Sequence, residues 1–186
     1  MKSNIQIWKT FKVQFEAHLR SNHPHGIKSA WRSMKCRTQF YINTIFPAIA
    51  AHFNWEHQRE LFKVDYAFYK LSSSGDKVPV VFIESENDAG TATHELRKLL
   101  SLNAPCRILI VCCEWSTDLW KPGRQDTLMA EWSKLVASHA EVWKINGVIG
   151  VINAESGRVF RISTAAWNEA GKLIEPVNIL LELPSL

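Results

Sequence analysis

Residues 60–100 read ELFKVDYAFYKLSSSGDKVPVVFIESENDAGTATHELRKLL, and the reading of this stretch decides the fold. Two apolar, aromatic-rich runs, ELFKVDYAFYK (60–70) and VVFIESEN (80–87), flank a Ser/Gly/Asp-rich break, the pattern of strand, turn and strand. The segment after Asp88 suits a helix, with Leu96, Leu99 and Leu100 on one face and Thr91 or Thr93 to cap it. Side chains alternate along a strand, so Glu84 and Glu86 share a face. On the first run Phe62, Val64, Tyr66 and Phe68 share one face, and Lys63, Asp65 and Ala67 the other. A turn centred between Ser74 and Gly75 sets Asp65 opposite Glu84, and such opposed side chains stand about 5 Å apart at Cβ.

Like charges so placed repel, so three converging carboxylates need a compensating partner. A hard divalent cation supplies it: Mg²⁺ is commonly held by one or two carboxylates, completed by water and phosphate oxygens. The plain alternative is a solvent-facing hairpin edge with scattered acids. Val80, Val81, Phe82 and Ile83 argue against it, because they are apolar on both faces, as in a covered strand.

At these residues the chain resembles the PD-(D/E)XK nuclease superfamily of restriction enzymes and resolvases. The resemblance spans about residues 56–113: an acid before the hairpin, Asp65 on its first strand, an acidic pair on its second, a helix, then the apolar strand CRILIVCC. It implies an α/β fold with a restriction-endonuclease-like core, a mixed β-sheet flanked by helices. It also implies that Asp65 and Glu84 bind Mg²⁺ or Mn²⁺. The family's usual lysine two residues after that glutamate is Glu86 here; a minority of restriction enzymes have Glu in that place and still cleave DNA. Glu86 is then a third metal ligand, or the group that orients and deprotonates the attacking water. In other members the lysine has moved to a neighbouring element. Lys98 on the following helix, or Lys63 beside Asp65, is the candidate to stabilise charge on the phosphate. The family often has a further acid before the hairpin that assists a second metal; Glu56 and Glu60 both stand there, and the letters do not choose between them.

Composition agrees with an ordinary globular protein: 186 residues, 46% apolar and 22% charged, expected as one domain over residues 1–186. Residues 1–55 form a basic helical part expected to pack on a nuclease-like core, residues 56–186. No apolar run approaches the length of a bilayer span and no signal-peptide pattern opens the chain, so a cytoplasmic protein without membrane contact is expected. Cys36, Cys106, Cys112 and Cys113 lack CxxC spacing and read as reduced, mostly buried thiols, not a zinc site. The net charge of +4 is uneven: residues 1–37 hold eight Lys and Arg against Glu16 alone, leaving fourteen basic and seventeen acidic residues beyond. A basic N-terminal segment beside an acidic centre suits DNA held against a metal site, although such runs are often only solvated faces.

In chain order, residues 5–20 form an amphipathic helix with Ile7, Phe11, Phe15 and Leu19 at helical spacing and Trp8 widening the stripe. Residues 28–53 look helical with a break at Pro47, where Asn43 or Thr44 could cap a new helix. CRILIVCC is a central strand, parallel to the one before it because a helix connects them. Pro122 and Gly123 introduce a helix with Leu128, Trp132, Leu135, Val136 and His139 on one face. VWKINGVIGVIN and GRVFRIST form a second hairpin through Glu155, Ser156 and Gly157, and VNILLEL makes a last strand or edge element. There is no GxxxxGK[ST], GxGxxG or HExxH motif. The expectation is a metal-dependent nuclease acting on DNA, plausibly as a homodimer or with a partner subunit. The alternative is a catalytically inactive nuclease-like fold that serves as a nucleic-acid- or protein-binding module, favoured by the absence of lysine at position 86.

Overall fold

The computed structural model describes residues 3–23, 25–114, 124–143, 146–156 and 159–184. Its centre is one seven-stranded mixed sheet in the order β1 (Glu56–Arg59), β2 (Tyr66–Leu71), β3 (Lys77–Glu86), β4 (Cys106–Glu114), β5 (Val148–Ser156), β6 (Val159–Trp167) and β7 (Leu173–Pro184). Strands β3, β4 and β5 run parallel, and every other neighbouring pair is antiparallel. CRILIVCC is thus the middle strand of seven, parallel to β3 as its apolar, helix-linked character predicts.

One face is covered by the N-terminal helices α1 (Asn4–Ser21), α2 (His25–Ala30), α3 (Met34–Phe40) and α4 (Phe46–Phe53). The stripe predicted on α1, Ile7, Trp8, Phe11, Phe15 and Leu19, is buried against Phe68, Val81, Ile108, Ile152 and Phe160. Each such buried side chain contributes about 2 kcal/mol by leaving water. Trp8 presses onto β5 at Gly150, where any Cβ would overlap its indole ring. The other face carries α5 (Ala92–Leu100) and α6 (Arg124–Val142), whose Leu96, Leu99, Leu128, Trp132 and Val136 pack on Phe82, Leu109, Val151 and Ala165. The molecule is therefore α/β, a mixed sheet between two helical layers.

Several expectations are corrected. The first run does not extend from residue 60: Glu60, Phe62 and Lys63 adopt left-handed conformations, Leu61–Lys63 forms a short 3₁₀ turn, and β2 starts only at Tyr66. Phe62 is exposed in consequence and does not share a face with Tyr66 and Phe68. A separate edge strand, β1, precedes the turn and holds Glu56. At Pro47 the chain does not break. A wide π-helical turn, Tyr41–Ile45, leads into α4 with no side-chain cap, and the Phe46 N–H bonds to the Tyr41 carbonyl. Pro47 then falls in the first turn of α4, where its missing N–H is tolerated. Thr91 likewise occupies the position before α5 without capping it by its side chain; its hydroxyl donates to the Asp88 carbonyl. The second hairpin starts at Val148, and Val142, the last residue of α6, and Trp143 after it are exposed. The predicted Pro122, Gly123 and Gly157 lie outside the described residues.

Candidate active site

The hairpin fixes the acids. Tyr66 pairs with Ile83, and Ala67 with Phe82, so the next step outward sets Asp65 against Glu84, as the turn position predicts. A five-residue loop closes the hairpin, with Gly75 at φ 86° and the Ser72 N–H bonded to the Asp76 carbonyl. A bulge at Phe68/Tyr69, between this turn and the acids, shifts the register by one and so brings Asp65 opposite Glu84. Asp65 is exposed, and its Oδ2 accepts the Ser85 backbone N–H at 2.8 Å. That bond ties the start of β2 to the end of β3.

Glu84 is different. Its side chain is 2% exposed, on the face covered by α5, and the Lys98 ammonium lies 2.6 Å from its Oε1. Lys98 also reaches Glu95 Oε2 at 3.0 Å, one helical turn earlier. The Lys98–Glu84 contact is an ion pair without regular hydrogen-bond geometry, since Oε1 has no properly aligned donor. Burial, the largest influence, pushes the Glu84 carboxyl up to about 7; the Lys98 ammonium pulls it down and the Asp65 charge adds to the rise. For Lys98 burial works downward, but the two glutamates outweigh it and its pKa is raised.

Asp65, Glu84 and Lys98 are thus brought together from three elements. Glu86 is turned into a local bond, with its Oε1 accepting the Asp88 N–H at 2.9 Å. Lys63 is exposed and forms no ion pair among the described residues. Among those residues no group of three or more His, Cys, Asp or Glu side chains is placed to hold a metal ion. Asp65 and Glu84 suit a cation held by two carboxylates, which Mg²⁺ accepts. The residues present do not fit the three-carboxylate set that includes Glu86.

A cavity of about 230 Å³ opens beside Asp65, lined by Thr38, Tyr41, Phe46, Arg59, Glu60 and Ser85 among others. Glu60 therefore stands at the site, held by the bond from its N–H to the Asp65 carbonyl, whereas Glu56 lies at the opposite end of β1, against Tyr69. Sequence reasoning missed Glu95, Arg37 and Asn87. Arg37 is buried, and its Nε donates to Asn87 Oδ1 at 3.1 Å, one residue past β3. The spacing of Glu95 to Lys98, three residues on a helix, was the available signal. Part of the basic segment is spent inside the fold: Lys12 pairs with Glu175, and Arg20 with Glu16 and the Leu180 carbonyl. Lys9, Lys28, Arg32 and Lys35 remain exposed.

No family model matches the chain, and no curated protein matches it. Among the described residues no helix is long and apolar enough to cross a membrane. Cys36 and Cys106 are free thiols.

Proposed function

We propose that the chain is a metal-dependent nuclease that hydrolyses phosphodiester bonds of DNA. The observation that carries this reading is the Lys98 ammonium delivered by α5 onto buried Glu84, in register with Asp65. A cation thereby stands beside the two acids although position 86 is not lysine. Further support comes from the succession of antiparallel hairpin, helix and parallel apolar strand that the resemblance implies. Mg²⁺ or Mn²⁺, held by Asp65 and Glu84, would neutralise the scissile phosphate and acidify a water. Lys98 favours the ionised form of Glu84 against the effect of burial and offers donors for charge developing on the phosphate. Exposed Arg32 and Lys35, next to the helix that brings Thr38 to the cavity, suit a DNA backbone. The reading carries with it a restriction-endonuclease-like core, a cytoplasmic setting, and a homodimer or partner subunit where both strands are cut.

The same ion pair favours a second reading. Lys98 compensates Glu84 as a metal would, which suits a fold that has lost chemistry and binds nucleic acid or protein. Cleavage of supercoiled plasmid and single-stranded DNA with Mg²⁺, Mn²⁺ or EDTA separates the two. A nuclease cuts only with metal, and Glu84→Ala abolishes the cutting. Well-folded protein that cuts nothing with any metal leaves the binding module. Melting provides an independent check: Mg²⁺ raises the melting temperature of the wild type and not of Asp65→Asn.

A further inference from the structure

Arg107 is the second residue of β4, followed by the apolar run of residues 108–113, and it is 1% exposed. Its Nη1 donates to the Leu102 carbonyl at 2.9 Å and its Nη2 to the Asn146 carbonyl at 2.6 Å. A guanidinium has five N–H groups, so three are left without an acceptor among the described residues, the buried Nε–H among them. Among the described residues no carboxylate pairs with it. Burial lowers its pKa to about 10, a mark of an uncompensated charge. Burying a cation without a counter-charge costs several kcal/mol, and native folds rarely keep one without a partner.

The guanidinium lines a cavity of about 290 Å³, together with Ser101, Asn103, His139, Trp143 and Asn146. That volume is many times the roughly 30 Å³ share of a liquid water. His139 contributes a second orphan: its Nδ1 is buried and has no hydrogen-bond partner among the described residues. Trp143 stands at the rim, 69% exposed. The cavity shares no lining residue with the one beside Asp65. Two residues with buried, unpartnered nitrogen atoms, one of them a charged guanidinium, thus line one polar space between the C-terminal ends of α5 and α6.

We propose that this cavity is a second site, which binds the phosphate group of a mononucleotide or inorganic phosphate through Arg107 and His139. Donors on Arg107 and His139, with the amides of Asn103 and Asn146 on the same wall, suit an oxyanion with several oxygens better than a planar carboxylate. With inorganic phosphate the cavity is filled by the anion alone. With a mononucleotide the exposed Trp143 indole provides a face on which a base stacks. The inference stands whether or not the chain cuts DNA.

The test is calorimetric titration of the full chain in EDTA, at fixed ionic strength, with inorganic phosphate, with deoxyadenosine monophosphate and with acetate. Both phosphates bind and acetate does not. His139→Ala, which keeps the fold by circular dichroism, weakens both by roughly tenfold, the loss of one charge-assisted hydrogen bond. Trp143→Ala weakens the nucleotide alone and leaves inorganic phosphate unchanged. Asp65→Asn leaves every affinity as it was, which separates this site from the proposed nuclease centre. If Arg107→Gln fails to fold, His139→Ala decides the matter. Equal heats from acetate and phosphate, no binding of either phosphate, or undiminished affinity in His139→Ala overturns the proposal. Inorganic phosphate binding with no nucleotide preference and no effect of Trp143→Ala assigns the site to the free anion.

Discussion

Replacing Glu84 by Gln tests the electrostatics of the candidate active site without a nuclease assay. Gln keeps the shape of the side chain and removes its ability to ionise. In the folded protein Glu84 titrates at about 7, against 4.5 for the same group in the open. Between those values the folded state holds a proton that the unfolded state has released, so stability falls as pH rises through this window. The contribution is fully present below about 4.5 and lost above 7. At 1.36 kcal/mol per pKa unit the whole loss is about 3 kcal/mol, and burial of the side chain leaves little solvent screening to reduce it. Glu84→Gln escapes this loss. Urea denaturation in EDTA should therefore show near-equal stability at pH 4.5 and a mutant more stable by about 2–3 kcal/mol at pH 8, with the m-value unchanged. Adding Mg²⁺ at pH 8 should close part of the gap by stabilising only the wild type. A stability difference that stays constant from pH 4.5 to 8, or a mutant that is weaker at pH 8, refutes the reasoning.

Two further outcomes follow from named contacts. Lys98→Met strips buried Glu84 of its cation; the cost is roughly 2 kcal/mol at pH 8, limited because the carboxyl can take up a proton, and under 1 kcal/mol at pH 5. Denaturation curves at the two pH values check it, and equal costs at both would sink the ion-pair account. Gly150→Ala drives a methyl into the Trp8 indole and costs about 3 kcal/mol, read as a lowered urea midpoint; a loss below about 1 kcal/mol would mean that α1 yields easily.

The facing of Asp65 and Glu84 agrees with a turn between Ser74 and Gly75, but by a route the letters do not show: the loop is centred on Ser74, with Leu71 against Lys77, and the bulge at Phe68/Tyr69 supplies the one-residue shift. The start of β2 was not legible. Left-handed residues are usually announced by Gly or Asn, but here they are Glu60, Phe62 and Lys63, which read as strand. Phe62 and Val64 even continue the alternation of Tyr66 and Phe68, so periodicity pointed the wrong way. Edge strand β1 was hidden for the opposite reason, since Glu-His-Gln-Arg has no apolar face to report. The direction of the α5 face was undecidable from letters alone. Helical spacing sets Lys98 on the side of α5 away from Leu96 and Leu100, yet the packing of α5 on β3 lets its long side chain reach Glu84. Local bonding was equally silent in the sequence: Glu86 and Glu84 alternate as equals, and the Asp88 N–H takes one of them.

The contacts of α1 with β7 bear on the order in which the molecule is assembled. Trp8 and Lys12 both bond to Glu175, and Arg20 reaches the Leu180 carbonyl, pairings that lie 160 to 167 residues apart along the chain. Thr164 holds the other oxygen of Glu175, so the acid is positioned only when β6 and β7 are paired. During synthesis the first helix thus emerges long before its polar partners, with its aromatic stripe and lysines uncovered. Such distant contacts close late and slow the overall search. The hairpin that carries Asp65 and Glu84 is local and can form early, but the helical layer over it is secured from the far edge of the sheet. Activity at that hairpin would then arise as a late property of the chain, withheld until its seventh strand has docked.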